Sequence, residues 1–167
     1  MALRECKPLR NFFQHGYVTN DFDRALVHFA PYGITRWAEI RKIEVQIMEE
    51  RHATLSVALG YHGALQIEVI QPHGGHCDIH REILPGGNAF ALRLHHHGFL
   101  LYDETEYFAL RDAYAIRGAA TVIDGLNPRS GNRYFYADTR AELGHYVEYI
   151  YLTAQGRGDY AKIPQNG

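Results

Sequence analysis

A chain of 167 residues, 46% hydrophobic and 22% charged, is long enough for one domain with a buried core and too apolar for a disordered one. Its 17 basic and 19 acidic residues give a net charge of −2 with no long Lys/Arg cluster, which argues against a nucleic-acid partner. Charges at Arg4, Glu5, Lys7 and Arg10 replace any apolar leader, no run reaches the roughly 18 apolar residues of a membrane span, and Cys6 and Cys77 form no CxxC pair, so the expectation is a soluble, cytoplasmic protein without a disulfide framework or thiolate metal site.

The segment Phe12 to Thr19 reads as a strand, and Asn20 or Asp21 then caps a helix through Phe22, Ala25, Leu26 and Phe29 that Pro31 and Gly33 end. Strands follow over Thr35 to Gln46, Thr54 to Tyr61 and Leu65 to Gln71, rich in β-formers and partly alternating. A connector with His73, Gly74 and Gly75 carries a short helix, Asp78 to Leu84, and reaches the turn residues Pro85, Gly86 and Gly87. The order then repeats: a strand Leu94 to Leu101, a helix from Glu104 to Ile116 stopped by Gly118, and strands Ala119 to Ile123, Arg133 to Ala137 and Tyr146 to Leu152. The fold class expected is α+β, two βαβββ modules (12–72 and 92–152) joined by a connector (73–91) in a single 1–167 domain. The tail 153–167 has no clear period and reads as a surface extension without function.

The duplication shows in the letters. Gln14-His15-Gly16-Tyr17-Val18 and His96-His97-Gly98-Phe99-Leu100 match in pattern, each followed three residues later by Asp21 or Asp103. Gln66-Ile67-Glu68-Val69-Ile70 matches Tyr146-Val147-Glu148-Tyr149-Ile150, and the intervals from Gln14 to Glu68 and from His96 to Glu148 are nearly equal. Side chains alternate across a strand, so Gln14, Gly16 and Val18 share one face while Phe13, His15 and Tyr17 share the other, the bulky set toward the core. Glu68 shares a face with Gln66 and Ile70, away from the apolar stripe Leu65, Ile67 and Val69; Glu148 likewise opposes Val147 and Tyr149. In the first strand of the second module His96 and Gly98 oppose His95 and His97. If the modules curl toward each other, Gln14, Glu68, His96 and Glu148 converge, with His15 the rival of Gln14 because histidine is the commoner ligand. One imidazole, two carboxylates and an amide oxygen suit one divalent ion (Ni, Co, Zn, Mn, Fe or Mg) with open coordination positions, an arrangement for catalysis.

The two Gln/His-x-Gly segments, the Gln66 to Pro72 stretch and the run Asp138-Thr139-Arg140-Ala141-Glu142-Leu143-Gly144-His145-Tyr146-Val147-Glu148 resemble the four recurring motifs of the vicinal oxygen chelate superfamily, which includes glyoxalases, bleomycin resistance proteins and extradiol dioxygenases. The resemblance is to its glyoxalase-like branch and spans about residues 12 to 152. It implies a cup of about eight strands, metal ligands at Gln14, Glu68, His96 and Glu148, and proton transfer of isomerase, epimerase or lyase type on a small substrate chelated through vicinal oxygens. Glu148 and Glu68 are the candidate proton carriers. A ring-cleaving dioxygenase and a non-catalytic antibiotic-binding protein are the rival readings; Gln14 and the second carboxylate Glu68 weigh against the first, the metal quartet against the second. Both halves of the cup lie in one chain, so a homodimer is not required, though it is common on general grounds. Tyr134, Tyr136 and Tyr146 are read as packing residues next to the pocket, Asp21 and Asp103 as helix caps, and Arg133 and Arg140 as solvated charges.

Overall fold

A computed structural model describes residues 6–167. The first module runs β1 (Phe12–Thr19), α1 (Phe22–His28), β2 (Ala38–Met48), β3 (Arg51–His62) and β4 (Leu65–Gly75); the connector carries α2 (Asp78–Arg81). The second runs β5 (Leu92–Leu101), α3 (Glu104–Arg117), β6 (Thr121–Leu126), β7 (Arg133–Ala137), a short α4 (Arg140–Leu143) and β8 (Tyr146–Tyr151). Strand existence and type agree with the sequence reading, and the boundaries move by a few residues, as when β3 begins at Arg51 because a tight turn at Glu49 and Glu50 joins it directly to β2. Asp21 and Asp103 cap α1 and α3, accepting from Arg24 N and from Thr105 N and Glu106 N.

Each module has the same internal order, β1-β4-β3-β2 and β5-β8-β7-β6, and the two join antiparallel at β1 and β5. At the far side β2 meets β6 through a single parallel pairing, Met48 with Asp124, which turns the curved mixed sheet into a closed ring of eight strands. Closure removes two exposed strand edges. The helices lie outside. Under α1, Phe22, Ala25 and Leu26 pack on Ile67 and Val69; under α3, Tyr107, Leu110 and Tyr114 pack on Phe135, Val147 and Tyr149. These are the apolar faces that alternation assigns to β4 and β8. The opposite faces, carrying Glu68 and Glu148, look inward.

The tail departs from expectation. Thr153 caps α5 (Ala154–Tyr160), and β9 (Gln165–Asn166) pairs parallel with Tyr61 and His62 at the end of β3, beyond the point where β2 stops pairing. Asn166 is 4% exposed; its Oδ1 accepts from Thr35 N and Arg36 N, and its Nδ2 donates to the Arg36 and Tyr61 carbonyls. Tyr160 packs beside Phe13, Tyr61 and Tyr134 at one end of the ring interior. The tail is therefore a structural cover, held by the β9 pairing, by Tyr160 packing and by Asn166, which satisfies backbone groups a sheet edge leaves open. No described helix is long and apolar enough to cross a membrane.

Candidate metal centre

Strands β8, β5, β1 and β4 run side by side, and their register sets the site in two neighbouring rows. Glu148 pairs with Gly98, Gly98 with Gln14 and Gln14 with Gln66; two residues along, Tyr146 pairs with His96, His96 with Gly16 and Gly16 with Glu68. Each first-strand candidate therefore lies over the glycine of the other module. A Cβ on Gly16 would fall 1.9 Å from His96 Cε1, and one on Gly98 would fall 2.4 Å from Gln14 Oε1. The repeated ligand-x-Gly pattern is two strands making room for each other's side chain.

His96 Nε2 lies 3.0 Å from Glu68 Oε2, 3.2 Å from Glu148 Oε2 and 3.4 Å from the Tyr136 hydroxyl. One ligand atom from each of Glu68, His96 and Glu148 falls within 4.8 Å of the others, an arrangement that could hold a metal ion. Gln14 Nε2 donates to Gln66 Oε1 at 2.8 Å, so the Gln14 amide oxygen is its remaining polar atom. Gln14 Oε1 is buried without a hydrogen-bond donor, and the buried Glu68 Oε2 and Glu148 Oε2 share the single N–H that His96 Nε2 can offer. Buried acceptors with too few donors are costly, and two carboxylates beside one imidazole fit a hard to borderline divalent cation. His15 is elsewhere: its ring centroid is 4.8 Å from that of His97 and 5.1 Å from that of Phe12, a packing cluster that His145 extends.

A proton can also occupy this cluster. Burial opposes charge on His96, but the Glu148 and Glu68 carboxylates outweigh it and raise the ring to about 9 from 6.5. Burial likewise pushes Glu148 up, and the His96 charge pulls it partly back. A folded-state pKa raised above the unfolded one stabilises the fold fully below about pH 6.5, and this stabilisation is lost as pH rises through about 9. For chelator-treated protein we expect urea denaturation to show stability falling between pH 7 and 10 by up to about 3 kcal/mol, a decline that His96→Gln removes; equal pH profiles for both proteins would contradict it.

Two strand irregularities correct the face assignments. Phe13 was expected beside His15, but the register of β1 against β5 slips between Phe12 and Gln14, leaving Phe13 unpaired and packed with Ile150, Leu100 and Leu152. His95 was expected opposite His96, yet β5 carries an extra residue between Leu94 and His96, and His95 turns in with Tyr136, Tyr146 and His96. Both are β-bulges, which re-aim single side chains and recur beside functional sites. The sequence reading gave no role to His80, which is 1% exposed and stacks on His95 with ring centroids 5.0 Å apart. Burial lowers His80 to about 3 and keeps His95 well below the usual imidazole range, so both are neutral. Alternation puts Gln66 on the inward face, and its hydrogen bond from Gln14 shows only in the structure. Tyr160, in the tail, is held far toward its neutral form by burial and by the nearby Glu148 and Glu68 charges; nothing local in its sequence marks it. Arg140 is paired with Asp138 and Glu82 and lies over the Tyr146 ring, and Arg133 pairs with Glu104.

The duplicated modules and their joining at the first strands are the features of the vicinal oxygen chelate fold, and the chain has that fold. No family model and no curated protein matches the sequence. Among solved structures, a hypothetical protein from Bacillus halodurans superposes with a TM-score of 0.54 at 11% identity, covering 85% of this chain and 94% of that one. A substituted form of Streptomyces coelicolor methylmalonyl-CoA epimerase, in complex with 2-nitronate-propionyl-CoA, gives 0.51 at 15% identity, covering 86% and 95%. Methylmalonyl-CoA epimerase from Mycobacterium tuberculosis gives 0.50 at 13% identity, covering 89% and 91%. Identities this low speak for the fold alone.

Proposed function

We propose that the protein is a divalent-metal-dependent enzyme that moves a proton at a carbon next to a carbonyl, in an isomerase, epimerase or lyase reaction on a small substrate held through vicinal oxygens. The observation that carries this is the pair of inward carboxylates, Glu68 and Glu148, flanking His96 Nε2 at 3.0 and 3.2 Å, one from each module. Gln14 Oε1, Glu68, His96 Nε2 and Glu148 would hold the ion. When bound, it supplies Lewis-acid stabilisation of the negative charge that develops on the substrate oxygens.

The chain's own groups supply the proton movement. Glu148 and Glu68 accept and return the carbon-bound proton, one carboxylate from each module beside His96 Nε2. Burial raises Glu148 and brings its proton affinity closer to that of a general base working near neutral pH. The Tyr136 hydroxyl, 3.4 Å from His96 Nε2, is positioned to steady oxygen atoms beside it. Walls of Tyr136, Tyr146, Val18 and Ile70 keep water from the carboxylates, and Tyr160 covers one end. The acyl-CoA epimerases of the same fold support this reaction class. A ring-cleaving dioxygenase, with two imidazoles and one carboxylate as ligands, fits less well, because His15 lies in a separate aromatic cluster.

The test is elemental analysis of pure protein, with wild type beside Glu148→Ala and His96→Ala and reconstitution by Ni, Co, Zn, Mn and Fe(II). We expect about one ion per chain in wild type, as one such cluster predicts, and loss in both variants. Uptake at pH 7 should release protons, because His96 must give up its Nε2 hydrogen. Wild type that takes up no ion under any condition would overturn the reading and leave a binding protein on the same fold.

A further inference from the structure

Beside the candidate ligands stands a second pair of histidines that the proposed chemistry does not use. His95 Nε2 lies 3.0 Å from the carbonyl of Ile79 in α2, and His95 Nδ1 lies 3.0 Å from His96 Nδ1. A carbonyl only accepts, so His95 carries its hydrogen on Nε2 and its Nδ1 is a bare acceptor. The hydrogen between the two rings then belongs to His96 Nδ1. That assignment leaves His96 Nε2 as the atom facing Glu68 and Glu148.

The fold goes to some length to make this contact. In an uninterrupted strand adjacent residues point to opposite faces, and His95 could not reach the ring of its neighbour. The β5 bulge turns it inward, Tyr146 lies against it with ring centroids 4.9 Å apart, and His80 stacks on it with planes 22° apart. His95 and His96 are 1% and 0% exposed, so no water competes for the hydrogen bond. Both His80 and the accepting carbonyl of Ile79 come from α2, in the connector between the modules. The connector therefore does more than link the halves of the barrel.

We infer that His95 is a positioning residue, and that the bulge and the connector helix together form a relay, Ile79 carbonyl to His95 to His96, which sets the tautomer and angle of the His96 ring. The inference rests on the proposed metal centre and adds its supporting shell. Ligating histidines as a rule donate their second nitrogen, most often to a carboxylate, a carbonyl or water. Here the acceptor is an uncharged imidazole, which orients the ring without adding a third negative charge to a site that already holds two carboxylates.

The experiment compares His95→Phe, which keeps ring bulk against His80 and Tyr146 but has no acceptor, with His95→Asn, whose side-chain oxygen stands close to where Nδ1 was. Binding of Zn and Co(II) is measured in competition with a chelator, and long-range 1H–15N spectra of the wild-type rings are recorded without metal. We expect His95→Phe to weaken both metals by about 10- to 100-fold, His95→Asn to recover most of the loss, and His95 Nδ1 in wild type to give the shift of an unprotonated nitrogen. Unchanged affinity in His95→Phe, with wild type binding one ion, overturns the relay while the metal centre stands. If wild type binds no ion, the metal centre falls, and the spectra decide the relay alone: a protonated Nδ1 on His95 overturns it and a bare one sustains it. The spectra also decide the matter if His95→Phe does not fold.

Discussion

Gly16→Ala is expected to empty the site although it replaces no residue proposed to bind metal. The added Cβ would fall 1.9 Å from Cε1 and 2.1 Å from Nε2 of His96, far inside contact distance. His96 cannot step aside, because its ring is fully buried among Glu68, Glu148, Tyr136 and His95. Either the ring leaves its place between the carboxylates or β1 separates from β5 at the seam of the two modules. The fold should lose about 1 to 3 kcal/mol, the usual cost of overpacking, and metal affinity should fall by more than the roughly 10- to 100-fold that loss of a supporting contact causes. Gly98→Ala should do less damage, since turning the Gln14 amide relieves the contact at Oε1, 2.4 Å away, and leaves only the one at Gln14 Cβ, 2.9 Å away, for the strands to absorb. Gly74→Ala is the control, because an added Cβ there meets nothing within 4 Å. Denaturation and metal titration of the three variants check the order. Gly16→Ala protein that binds metal like wild type would show that the His96 ring is not held where the structure places it.

Glu148→Gln is expected to abolish turnover while the protein remains folded. The amide keeps the shape of the carboxylate but cannot accept a proton from carbon, so proton exchange should fall by a factor of about 10² to 10⁴, the usual contribution of a positioned acid–base group. Folding should suffer only in part. Glu148 is 6% exposed, and burial and the Glu68 charge both disfavour its ionised form. Removing one of two buried like charges relieves that repulsion, although His96 loses part of its counter-charge. The measurement is exchange of substrate carbon-bound hydrogen with deuterated water across a panel of acyl-CoA thioesters and 2-oxo or 2-hydroxy acids, with thermal unfolding recorded on the same samples. Full activity in Glu148→Gln would take Glu148 out of the mechanism and leave Glu68 as the base to examine.

What the sequence determined by itself follows from repetition and from the two-residue period of a strand. Two copies of a ligand-x-Gly segment and two copies of a glutamate opposite an apolar stripe, at matching intervals, are enough to give the repeated element order and the strand faces that carry Gln14, Glu68, His96 and Glu148. Asp21 and Asp103 are legible for the same local reason, since a cap acts within one turn of its own helix. The tertiary structure alone decided the rest. The bulges that turn Phe13 and His95 inward are a mismatch in register between β1 and β5, strands about eighty residues apart in sequence, and alternation within either strand carries no sign of them. Ring closure depends on one pairing, Met48 with Asp124, and the docking of the tail depends on Asn166 finding open backbone groups on the first module. His80 reaches His95 only because the connector folds back over β5. Periodicity reports which way a side chain points from its own strand; what it meets there is set by strands and loops that arrive from elsewhere in the chain.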